Sequence, residues 1–150
     1  MAVSPYVIKS RLRTDEKDLP KDVQALQAYA NATFTIALAA GASNVMTATI
    51  QAVDGFGNTR SGVHNIDVLV SNASTGIGLT STSYSTGWAA TTGSILASIT
   101  SQKYFKVQTD ATGKAVLTLT ATGKPATEYV AVVLPRGGLV VSAASGTNFG

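Results

Sequence analysis

The sequence predicts an all-β domain, a sandwich of seven to nine short strands behind an extended N-terminal arm, and three observations carry that reading. The stretch VQTDATGKAVLTLTATGKPATEYVAVVLPRGGLVVS (107–142) alternates β-branched runs with turn chemistry. From Ala32 onward, turn signals recur about every 8–12 residues, the spacing of sandwich strands. No apolar stripe of helical period competes with this texture beyond residue 32.

Taken in order, Ala32–Ala39 alternates, with Phe34, Ile36 and Leu38 on one face, and Gly41-Ala42-Ser43-Asn44 turns the chain. Val45–Val53 follows, with Met46, Ala48 and Ile50 opposite Val45, Thr47 and Thr49. Asp54-Gly55-Phe56-Gly57-Asn58 is a dense turn signal. Ile66–Ser71 places Ile66, Val68 and Val70 inward and Asp67 outward. A pair of strands is expected within 77–100, then Lys103–Gln108. Thr109-Asp110-Ala111-Thr112-Gly113-Lys114 supplies a turn before Ala115–Thr120. Tyr129–Leu134 is continuously apolar, as in a strand buried on both sides. Pro135-Arg136-Gly137-Gly138 turns it into Leu139–Ser142. The last three strands read as a β-meander, and the tail from Ser145 to Gly150 as extended. The count suggests a sandwich of immunoglobulin type, without the Cys…Trp…Cys signature of antibody domains.

Residues 1–30 differ in kind from residues 31–150. Between Lys9 and Asp22 lie five of the 11 basic and four of the 8 acidic residues, with Pro20 among them. This part is read as an arm, with Val7, Ile8 and Leu12 as docking side chains for a neighbouring subunit and two marginal helical turns at 22–29. Within the second part, the 35 residues from Val68 to Gln102 carry no charge at all. They are rich in Ser, Thr, Gly and Ala, and residues 71–101 read as an excursion whose aromatics Tyr84 and Trp88 meet another chain. A surface that meets protein loses charge at its centre and keeps aromatics.

Composition narrows the function classes. Only 13% of residues are charged and 45% are apolar, with a mean hydropathy of +0.21. Disorder needs the opposite balance. The net charge of +3 is spread without a basic stripe, so nucleic-acid binding is not expected. No apolar run reaches the length of a membrane span, and MAVSPYVIKSRLR lacks the apolar core of a signal peptide. Cysteine is absent, which excludes disulfides, thiolate metal sites and a cysteine nucleophile.

No catalytic set emerges either. His64 is the single histidine, with no triad order or metal-ligand spacing around it. Asp54 and Asn58 lack the further carboxylates of a calcium loop. Gly76-Ile77-Gly78 and Gly137-Gly138 precede no helix and do not read as phosphate loops. No enzyme activity, cofactor or metal is expected.

Two resemblances complete the reading. VDGFGNTRSGVHNIDVLVSN (53–72) and TDATGKAVLTLT (109–120) resemble the turn-and-strand patterns of bacterial immunoglobulin-like modules of the invasin type. AYANATFTIALAAGASNVMTATIQAVDGFGN, FKVQTDATGKAVLTLT and YVAVVLPRGGLVVSA together are similar to small virion proteins of tailed phages. That likeness implies an immunoglobulin-like sandwich made in the host cytoplasm and built into the virion. It further implies capsid decoration or stabilisation as a homo-oligomer in contact with the major capsid protein. A neck or tail component, and a sugar- or host-binding adhesin module using Tyr84 and Trp88, are the alternatives.

Overall fold

The structure, a computed structural model, describes Val23, residues 32–84 and residues 88–150. From Ala32 onward these residues form strands and turns: β1 Thr33–Ala40, β2 Val45–Val53, β3 Asn65–Ser71, β4 Trp88–Thr92, β5 Ser94–Thr100, β6 Tyr104–Gln108, β7 Lys114–Thr120, β8 Tyr129–Val133 and β9 Leu139–Val141. They build a four-stranded sheet, β1-β2-β7-β4, and a five-stranded sheet, β5-β6-β3-β8-β9, with every pairing antiparallel. Reading β1, β2, β3, β4, β7, β8 and β9 as strands A to G gives ABED over CFG, the immunoglobulin order. The hairpin β5–β6 is inserted between D and E and lengthens the CFG sheet on its C side.

The core lies between the sheets, and strict alternation puts it there. Met46, Ala48, Ile50 and Ala52 of β2 are buried, while the residues between them are less so. Across the ladder stand Leu119, Leu117 and Ala115 of β7, pairing Met46 with Leu119, Ala48 with Leu117 and Ile50 with Ala115. In two of these pairs a large side chain stands opposite an alanine, and Met46 and Leu119 are both large. The facing sheet contributes Ile66, Val68 and Val70, Phe105 and Val107, and Val130 and Val132. On the Phe34, Ile36 and Leu38 face of β1, Phe34 is buried while Ile36 and Leu38 are half-buried, because β1 is an edge strand.

Three expectations need correction. The last three strands are not a meander: β7 belongs to the four-stranded sheet and β8 to the five-stranded one. Residues 121–128 carry the chain across the sandwich, and of these three strands only β8 and β9 pair as a hairpin. Within 71–101, β4 and β5 are the pair of strands expected within 77–100. The remainder is no long excursion: around Gly76 the chain folds back over the outer face of β8 and β9. A Cβ on Gly76 would sit 2.8 Å from Val141 and 3.1 Å from Ala131, so this loop presses backbone against the sheet. That cover leaves Ala131 fully buried although it points away from the core, which is why β8 is apolar at every position. The tail also folds back. Phe149 is 2% exposed within the core, and the Asn44 amide donates to the Gly150 carbonyl.

The expected arm, with Val7, Ile8 and Leu12, lies outside the described residues. Val23, within the predicted helical turns, is helical.

Candidate functional site

The uncharged stretch holds two kinds of residue that local sequence cannot separate: those that fasten it to its own sandwich and those that face outward. The fastening centres on Glu128, fully buried at the end of the 121–128 crossing. Asn72 Nδ2 donates to its Oε1 at 2.7 Å and Thr80 Oγ1 at 2.9 Å, and Thr82 Oγ1 donates to the same oxygen. Tyr84 OH donates to Oε2 at 3.2 Å. The Glu128 amide donates to Ser145 Oγ, and the Ser145 amide returns a bond to the Glu128 carbonyl. A buried carboxylate is costly unless its lone pairs are satisfied, and here four side-chain donors do so. Burial, then the neighbouring Glu128 charge, pushes the Tyr84 phenol well above its ordinary range.

Tyr84, expected at a contact surface, is therefore a core residue, 3% exposed. Trp88 is half-buried: its ring packs on Phe105 with centroids 4.9 Å apart, and its Nε1 donates to the Gln102 carbonyl. Both aromatics close their own sandwich because apolar surface is removed from water most readily by the nearest core. Thr80, Thr82 and Tyr84 recur at a spacing of two, which places them on one side of an extended chain, and this was the available signal for a common partner. Glu128 set directly before an apolar strand was the other half of it.

The outward residues form a different group. Six large apolar side chains are exposed among the described residues, and four of them, Ile77, Leu79, Leu96 and Ile99, come from the uncharged stretch. Leu96 and Ile99 lie on β5, at the free edge of the five-stranded sheet. Its pairing with β6 is interrupted between Ile95 and Ala97 and again between Ser98 and Thr100. A bulge leaves one residue out of the ladder and re-aims its side chain. Leu96 and Ile99 are those residues, 51% and 50% exposed. Beside them, Lys106 pairs with Asp67 at 3.2 Å, and Tyr104 OH donates to the same carboxylate.

Comparison with known proteins finds no matching family model, no similar curated protein and no similar solved structure.

The remaining sequence candidates settle into structural roles. Asp54 Oδ1 accepts from the Phe56 and Asn58 amides, and Asn58 Nδ2 donates to Oδ2 at 3.2 Å, so the turn consumes these oxygens. Those bonds, the Asn58 amide foremost, hold the Asp54 carboxyl below its usual range. His64 is clamped by its backbone: its amide donates to Thr109 Oγ1 and its carbonyl accepts from the Thr109 amide, both at 2.9 Å. Its ring meets Phe34 edge-on at 6.1 Å. Desolvation, then the charge of Arg60, lowers its pKa. Among the described residues no three His, Asp or Glu side chains come together as a metal site would require.

Proposed function

We propose that this chain is a non-enzymatic structural subunit of a tailed-phage virion, decorating or stabilising the capsid through protein–protein contacts. The observation that carries this reading is the chemistry of its outward surface. A 35-residue stretch without charge places Ile77, Leu79, Leu96 and Ile99 in solvent, two of them on an open sheet edge. An edge strand that meets only water is normally protected by lysine, proline, an inward charge or a bulge; Ser94–Thr100 has no lysine, proline or charge, and its two bulges leave Leu96 and Ile99 exposed. Residues of that kind left exposed mark a surface made to be covered. The likeness to small virion proteins supplies the setting. Burial of Tyr84 takes one of two aromatics away from a sugar-binding platform and weakens the adhesin alternative.

A particle reconstruction tests this. The expected result is density for the sandwich on the capsid, with β5 and residues 77–79 against a neighbouring subunit. Finding the chain at the neck or tail would replace the capsid assignment. Finding purified virions without it would overturn the structural role altogether.

A further inference from the structure

We propose that this chain pairs with a second copy of itself along the outer edge of β1, the two strands running antiparallel about a two-fold axis at Ile36. An edge strand presents a row of backbone N–H and C=O groups to any other strand, and proteins blunt such edges by shortening, bulging or charging them. The two sheets end in four edges, β1 and β4 in one and β5 and β9 in the other. β9 is three residues long, β4 breaks register once and β5 twice. β1 has none of these devices. Its eight residues, TFTIALAA, match β2 without a shift from Thr33 to Ala40 and include no proline, lysine or other charged side chain. Among the described residues no strand pairs with its outer side. β5 thus offers a neighbour side chains, whereas β1 offers a regular backbone edge.

The strand's own residues point to a second copy as the occupant. A two-fold axis brings each charge on a strand near its own twin, so self-pairing suits a strand that has none. Paired residues must also share a face, because successive side chains point to opposite sides. An axis at Ile36 sets Phe34 opposite Leu38 of the second copy and Ile36 opposite its own counterpart, all on the core side. On the outer side it sets Thr35 opposite Ala37, both small and exposed. Ile36 and Leu38 pack against the core cluster yet stay half-buried, their open side facing the edge. A neighbouring strand covers that side and continues the sheet into the second copy, with main-chain bonds supplying affinity and the matched side chains fixing register.

This pairing needs no other protein and is independent of the virion reading, so the purified full chain tests it. Because the chain has no cysteine, an engineered disulfide reports a single contact. Thr35→Cys and Ala37→Cys are purified separately, mixed and oxidised. The mixed disulfide, recognised by mass, is expected in excess over either homodisulfide, since side chains directly opposite are within bonding reach and those offset by two residues stand roughly 7–8 Å apart. Sedimentation velocity is expected to show a dimer for the native chain. Like charges across the axis should raise its dissociation constant about tenfold or more in Ala37→Lys, and adding Thr35→Glu should restore the dimer. Circular dichroism checks that each variant keeps its sheets; if Ala37→Lys does not, the disulfide pattern decides alone. A native chain that stays monomeric overturns the proposal, whichever other strand then takes the edge. A dimer indifferent to Ala37→Lys, or one cross-linked through Leu96→Cys and not through the β1 pair, overturns it as well.

Discussion

At the scale of single residues, Glu128 and Tyr84 decide how the uncharged stretch is held. The carboxylate gathers Asn72, Thr80, Thr82 and Tyr84 from one segment and is tied through its backbone to Ser145. Tyr84 gives this network a measurable pH dependence. Its folded pKa lies above its unfolded value of about 10, so the folded state keeps a proton that the unfolded state loses. The stability it contributes is complete below about pH 10 and is lost as pH rises toward the folded pKa. Tyr84→Phe is expected to cost about 0.5–1.5 kcal/mol at neutral pH, for the lost hydrogen bond, and to flatten the alkaline limb. Thermal melts from neutral to strongly alkaline pH check this; parallel alkaline limbs in both proteins would contradict it. The partnership was half legible in the sequence. The two-residue spacing of Thr80, Thr82 and Tyr84 shows a shared side, but nothing local points to an acid more than 40 positions away.

At the scale of elements, turns govern where the chain changes sheet. The β6–β7 turn crosses between sheets in Thr109 to Gly113, and Asp110 shapes it by accepting from the Thr112 hydroxyl and the Thr112 and Lys114 amides. Those bonds, the Thr112 hydroxyl foremost, lower the Asp110 pKa. Gly113 completes it with φ of +78°, and a Cβ there would lie 2.1 Å from the Arg60 carbonyl oxygen. Gly57 has a similar φ of +84° but open space around it. Gly57→Ala should cost about 1 kcal/mol, for conformation alone. Gly113→Ala adds a backbone collision and should cost about 3 kcal/mol or more. Urea unfolding of the two variants separates the terms, and equal losses would show that the close approach does not matter. Asp-x-x-Gly-Lys was readable as a turn, whereas its role as a passage between sheets was not, because a turn motif encodes only its own backbone.

At the scale of the whole molecule, the seven-strand frame buries its alternating faces and spends an inserted hairpin on an outward edge. Leu96 and Ile99 stand at the bulges of that hairpin, outside the core cluster. Placing Asp at both positions is expected to abolish association with partner subunits while leaving the melting temperature within a few degrees, since exposed substitutions stay near ±0.5 kcal/mol each. Particle incorporation measured beside a thermal melt checks it; undiminished incorporation would remove β5 from the contact surface. Trp88→Asp is unsuited to that purpose, because Trp88 packs on Phe105 and its loss would disturb the core. By itself the sequence determined where strands run and which face of each is buried: Met46, Ala48 and Ile50 or Ile66, Val68 and Val70 declare their side through a period of two, a property of neighbouring residues. Only the tertiary structure decided which sheet each strand joins, that β7 and β8 are not paired, that the chain around Gly76 covers β8, and that Tyr84 lies inside. Each of those rests on partners tens of residues apart, and alternation within a strand fixes its inward face without naming what that face will meet.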